Sequence, residues 1–132
     1  MRNQKIVENQ IQEVIDALEK SANKADPSLA EPYIMMDDKR FYEIEDFIPE
    51  PFGANTLREI HDWVRKNGKP GNNVRYTKQR IYLLSPTTAY ATTIQELNFE
   101  KPSKSRVTFV FLKSDGKWEI IHAHYSTMPK KD

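Results

Sequence analysis

The sequence predicts an α+β fold in which a strongly curved antiparallel sheet forms a cone-shaped barrel and three N-terminal helices lie on its concave side. Three observations point there. Helical periodicity dominates the first half of the chain. Turn signals at Ser85-Pro86, Lys101-Pro102 and Asp115-Gly116 divide the second half into four long strand-like segments, 74–84, 87–99, 103–113 and 117–127. The connections between those segments are short, so sequential neighbours must pair antiparallel. Long strands twist and curl, and a curled sheet covered by helices on its concave side leaves an open end that is a natural pocket.

Each element has a local cause. Ile6, Val7, Ile11, Val14, Ile15 and Leu18 recur at helical spacing, with Glu8, Gln12, Glu13, Asp16 and Lys20 opposite them, which predicts an amphipathic first helix. A short second helix, Pro27 to Ile34, starts where Asp26 can cap and Pro27 loses no hydrogen bond in the first turn. "KRFYEIEDFIPEPFG" alternates and then breaks at Pro49, Pro51 and Gly53, predicting a short strand and an ordered loop. Thr56-Leu57-Arg58-Glu59 has capping-box spacing and opens the third helix, whose stripe is Leu57, Ile60, Trp63 and Val64. His61 lies one residue off that stripe and reads as a boundary histidine.

Composition narrows the function. A chain of 132 residues fits one domain, 1–132, large enough to bury its own core. It has no cysteine, which excludes disulfides, thiolate zinc sites and a cysteine nucleophile. Twenty basic and nineteen acidic residues nearly cancel, against the uniform positive field that nucleic-acid binding requires. "MRNQKIVENQIQEV" lacks the apolar stretch of a secretory signal, and no apolar run reaches membrane-spanning length. The expectations are no nucleic-acid partner, no membrane partner and a cytoplasmic location.

"SDGKWEIIHAHYSTMP", residues 114–129, holds two of the three histidines. Strict alternation puts His122 and His124 on one face with Trp118, Ile120 and Ser126, and Ile121, Ala123, Tyr125 and Thr127 on the other. A three-residue turn at Ser114-Asp115-Gly116 followed by a bulge would set Phe109 near Ile121, and is the preferred register. A two-residue Asp-Gly turn would set Phe109 beside His122. The His-x-His pair is a two-ligand metal fragment, but no third ligand stands at a local spacing, so no metal and no cofactor is expected.

Helix, short capped helix, "RFYEIEDFIPEPFGANTLREI" and then "SRVTFVFLKSDGKWEIIHAHYSTMP" resemble, in that order, the nuclear transport factor 2-like superfamily and especially its SnoaL-like members. The ending is also similar to the association domain of calcium/calmodulin-dependent kinase II, through D-G-K-W, then H-x-H, then Ser. The resemblance implies a cone-shaped barrel, usually dimeric. It covers ketosteroid isomerase, limonene epoxide hydrolase, polyketide cyclases and scytalone dehydratase, so fold alone does not settle activity. Where the kinase hub has arginines lining an anion pocket, this chain has Phe109 and Tyr125, which implies an aromatic, less charged cavity.

The expected function is therefore a pocket domain for a small, mainly apolar molecule, with Tyr33, Trp63, Phe109 and Tyr125 as wall residues. One alternative is a cofactor-free isomerase, cyclase or dehydratase. Its base would be His124 or a buried carboxylate, with Asp38 the named candidate and Asp37, Glu43, Glu96 and Glu119 also considered. The other is a structural dimerisation module. In all of these a homodimer is expected through the convex sheet face, where leftover apolar surface needs a partner.

Overall fold

The computed structural model describes residues 2–129. Helix α1 spans Arg2–Lys24 and is followed by two 3-10 turns, Pro27–Leu29 and Glu31–Tyr33, in place of one short helix. Strands β1 (Tyr42–Glu45) and β2 (Ile48–Phe52) form a small hairpin ahead of α2 (Ala54–Asn67). The four long strands are β3 (Val74–Ser85), β4 (Thr88–Leu97), β5 (Ser103–Ser114) and β6 (Lys117–Thr127). They lie within two residues of the segments read from the turn signals.

All six strands join one sheet in the order β2-β1-β6-β5-β4-β3. From β3 to β6 it is the expected antiparallel meander. The β1 strand pairs parallel to β6, with Glu43 beside Ala123, so the sheet is mixed and does not close. Helix α1 crosses the concave face, where Val7, Ile11, Val14 and Ile15 pack with Phe109, Phe111, Trp118 and Ile120. The α2 helix buries Leu57 against Ala30, Ile34, Phe41, Phe52 and Ile121 in a second cluster at the side.

Among several register irregularities, two within the long strands bend the sheet. In β3 the register slips between Thr77 and Arg80, with Lys78 at φ 56. In β6 the slip falls between Phe111 and Val110, leaving Ile121 as the extra residue. Such insertions increase local twist and curl long strands. The β5–β6 turn is a two-residue one. Ser114 pairs with Lys117, and Asp115 (φ 51) and Gly116 (φ 75) both take the positive values that a primed hairpin turn demands. The register differs from both sequence expectations, since Phe109 pairs with Ala123. The extra residue sits inside β6 rather than in the turn.

Both open edges of the sheet are protected. The outermost strand β2 carries Pro49 and Pro51, which have no N–H to offer another strand. At the other edge, side chains of α1 take the place of a further strand. Gln4 donates to the Ile81 carbonyl (2.7 Å) and accepts from the Leu83 N–H (3.0 Å). Asn23 donates to the Val74 carbonyl (2.9 Å) and accepts from its N–H (2.7 Å), while Glu19 accepts from the Tyr76 N–H (2.9 Å). The helix thus satisfies backbone groups that would otherwise recruit a second chain.

Capping follows the sequence at one helix start and departs from it at another. Asp26 accepts from the Ser28 N–H (3.1 Å), as expected of a cap. Thr56 does not cap α2: the helix begins at Ala54 behind Gly53, with no side-chain cap, and Thr56 lies within its first turn. The Gly53 carbonyl receives the Leu57 N–H at 3.2 Å, so the helix nucleates directly behind the buried Phe52.

Candidate functional site

At the wide end of the cone the hydrocarbon stops. A cavity of about 500 Å³ opens between α1, α2 and the concave face of the sheet. Its apolar walls include Leu18, Ile34, Leu57, Ile60, Phe109 and Ile120, with Trp63 and Phe47 at the exposed rim. The narrow end stays solid, with Ile11 and Phe111 fully buried there.

The polar end of the cavity is built by three strands. Glu43 and Glu45 stand two residues apart on β1, so alternation aims both carboxyls to one face, and the parallel pairing with β6 makes that face the inner one. Glu43 is 7 % exposed. Burial pushes its carboxyl up to about 8, with the charge of Glu45 and the proton it donates to Glu45 adding to the effect. Burial likewise raises Glu45 to about 7, although the hydrogen bond from Glu43 opposes the rise, and the charge of Asp46 adds to it. The two carboxyls therefore share a proton near neutral pH.

Across from them, the Tyr76 and Tyr125 hydroxyl oxygens lie 3.1 Å apart, and Gln95 Nε2 donates to the Tyr76 oxygen at 3.1 Å. Burial raises both phenols, Tyr76 to about 12 and Tyr125 well above its ordinary value, so both keep their protons. One hydrogen serves the Tyr–Tyr bond, and the other hydroxyl hydrogen is left over to meet a guest. A carboxyl pair sharing one proton and facing a free phenolic hydrogen can hold a polar group, and can give or take a proton beside it.

The sequence candidates scatter. Phe109, Tyr125 and Trp63 are on the cavity wall. Tyr33 is not; its ring packs beside the core and carries the Lys117 ammonium 4.8 Å from its centroid. His124 is a correction. It is exposed on the outer face, paired opposite Thr108, because the Ile121 bulge flips the register and returns Trp118 and Ile120 to the inner face with Ala123 and Tyr125. His122 is on the outer face too, its Nδ1 2.9 Å from the Tyr42 carbonyl and its ring 4.3 Å from that of Tyr42.

Asp38 is also corrected. It sits in the loop before β1, outside the cavity, bound by Arg40 at 2.8 Å, and that guanidinium holds its carboxyl down to about 2. A carboxylate held that low is a poor base, far from the pKa that general-base catalysis near neutral pH favours. Asp37 pairs with Arg58 at 2.9 Å, Glu96 meets the Thr77 hydroxyl at 3.2 Å, and Glu119 pairs opposite Leu112. Among the carboxylates considered from the sequence, Glu43 alone lines the cavity. His61 lines it as well, but its Nδ1 is 2.9 Å from Glu31, which also binds Arg65. Glu45, Tyr76 and Gln95 were missed, although "YEIE" carries the signal of two acids on one strand face.

The sequence profile of the SnoaL-like domain family matches residues 11–130. The chain belongs to the SnoaL-like domain family. No curated protein matches the sequence. Solved structures place this SnoaL-like domain in the NTF2-like fold. An NTF2-like protein of unknown function from Shewanella oneidensis superposes with a TM-score of 0.77 at 16% identity, covering 89% of this chain and 97% of that one. The association domain of CaMKII from C. elegans gives 0.79 at 14%, covering 96% and 100%. A protein with a cystatin-like fold from Caulobacter vibrioides gives 0.71 at 16%, covering 92% and 89%. At these identities the likeness is one of fold. No helix among the described residues is long and apolar enough to cross a membrane.

Proposed function

We propose that this SnoaL-like domain binds a small, mainly apolar molecule in the cone, oriented by the Glu43–Glu45 carboxyls and the Tyr76–Tyr125 hydroxyls. The observation that carries this reading is the change from solid packing around Phe111 to a hollow of about 500 Å³ beyond Phe109. That volume lies within the range of roughly 300–1,000 Å³ common to small-molecule sites. Rings supply contact area, and few polar groups supply direction. N-phenyl-1-naphthylamine, a neutral dye that fluoresces in apolar surroundings, is expected to bind saturably with one site per chain. Ala22→Phe, which projects a ring into the hollow from α1, should weaken it at least about tenfold by steric exclusion. Equal binding by the variant, or no saturable binding by the natural chain, sinks the reading.

A second reading is favoured by the shared proton. A carboxyl pair titrating near neutrality inside an apolar hollow suits cofactor-free isomerisation, cyclisation or dehydration, with Glu43 and Glu45 replacing His124 and Asp38 as the acid and base. Deuterium from D₂O should then enter the α-carbon of added 2-tetralone faster than in buffer alone, and Glu43→Gln should abolish the acceleration. Exchange that the variant leaves unchanged rejects it. A homodimer through the convex face fits either reading. Tyr82 and Leu84 are exposed there, on the side away from the cavity, and sedimentation equilibrium reads the stoichiometry directly.

A further inference from the structure

The charge of the cavity is one-sided. The chain as a whole carries twenty basic and nineteen acidic residues, yet among the described residues no lysine or arginine lines the cavity, whereas Glu43, Glu45 and Asp46 do. The one imidazole on the described wall, His61, is already met by Glu31 at 2.9 Å. Asp46 is held at the rim by the Thr127 N–H. Glu43 differs from both. Nine-tenths buried and aimed into the hollow, it meets the Glu45 carboxyl and, among the described residues, accepts no hydrogen bond from a protein N–H or hydroxyl.

A carboxyl placed this way is unpartnered except by its like. Burying it without a cation is costly, and a chain needing only an apolar hollow could carry leucine there. The walls are of the same kind: Tyr76, Phe109 and Tyr125 turn ring surface or edge toward the same space, and ring faces attract cations. Among the described residues, an anionic guest would meet three acids and no lysine or arginine on the wall.

Resting on the reading that the cone holds a small molecule, we infer that the molecule is an organic amine bound in its protonated form, its ammonium set between Glu43 and Glu45 and its apolar part against Phe109 and Ile120. Entry of R–NH₃⁺ favours full ionisation of the shared carboxyl pair, and the displaced proton leaves to solvent, so one positive charge enters as one leaves and the net charge of the cavity is unchanged. Other groups that face the pair are Asp46 in the loop, Tyr76 on β3, Gln95 on β4, Tyr125 on β6, and His61 on α2 with Glu31 and Arg65 behind it. Both tyrosines keep their protons, and the carboxyls are the groups that meet the ammonium, so the released proton comes from them.

Three probes of one shape test the inference: 4-phenylbutylamine, 4-phenylbutanol and 4-phenylbutyrate, titrated calorimetrically into the whole chain at pH 7.5 in phosphate and in Tris. The amine should bind at least about tenfold more tightly than the alcohol, the scale of one charge-assisted hydrogen bond, and the acid should not bind. The apparent heat of the amine should differ between the buffers, because they take up the released proton with different enthalpies. Glu43→Gln, and separately Glu45→Gln, should shrink the amine-to-alcohol ratio at least about fivefold, the loss of one charged partner. If the alcohol binds and the amine does no better, or the acid matches it, the amine inference falls and the cavity reading stands. If none of the three binds, both fall.

Discussion

Replacing Glu43 with Gln is expected to stabilise the protein by about 2 kcal/mol at pH 8 and to change its stability little at pH 4. The sign follows from where the proton sits. A glutamate in the unfolded chain ionises at its ordinary 4.5, whereas Glu43 in the fold holds its proton up to about 8. Below 4.5 both states are protonated and the fold loses nothing. Between 4.5 and about 8 the unfolded state sheds a proton that the folded state keeps, so stability falls steadily as pH rises. The full displacement corresponds to roughly 5 kcal/mol at about 1.4 kcal/mol per pKa unit. Glu45 carries part of the same charge, so a smaller gain is expected from one substitution.

Gln is the informative replacement because its amide can still donate to Glu45 and fills nearly the same volume. At roughly 4 °C per kcal/mol for a domain of this size, the pH 8 melting temperature should rise by about 8 °C. Urea midpoints of both proteins at pH 5 and pH 8 give the test: converging at low pH and separating at high pH is the expected pattern. Parallel curves, or a variant weaker at every pH, would show that Glu43 is not an uncompensated buried acid. A domain that keeps such a residue gives up stability for what the residue does, as functional sites commonly require.

The sequence shows the parts of this molecule that local chemistry decides. The limits of β3 to β6 are legible because Ser85-Pro86, Lys101-Pro102 and Asp115-Gly116 punctuate them, and Asp26 announces its cap. Asp115-Gly116 even contains the correct turn, since both residues tolerate positive φ. The Ile121 bulge has no such local mark. Ile121 is an ordinary strand residue, drawn to the side cluster of Phe41, Phe52 and Leu57 by packing that the strand alone does not reveal. That one insertion moved His124 outward and Tyr125 inward relative to Trp118.

The same holds for the acids. "YEIE" shows that Glu43 and Glu45 share a face, but only the parallel pairing of β1 with β6, residues 80 positions away, makes it the inner face. Thr56 illustrates the reverse error, a correct local signal overruled because the chain leaving Phe52 is already positioned to start the helix at Ala54. Site residues were hard to see because each depends on register between distant strands, whereas element boundaries depend on neighbours in sequence.

Phe111→Ala should lower stability by about 3–5 kcal/mol, and the melting temperature by roughly 15 °C. Phe111 is fully buried, pairs with Ile120, and has its ring centroid 5.9 Å from that of Phe109. Truncation there opens a void within solid packing, with the narrow end of the cone closed over it by α1. Phe109→Ala removes the same atoms one strand position pair closer to the mouth, from a ring that is itself buried but lies against the cavity. The space left by the ring joins the existing hollow instead of forming a closed void, so about 2–3 kcal/mol is expected, and the hollow deepens toward Phe111. Chemical denaturation of the two variants, with naphthylamine dye titration of Phe109→Ala, reads both consequences. Equal losses would mean that packing is uniform along the cone. Unequal losses mean that its narrow half supplies the stability on which the wide half, hollow and acidic, depends.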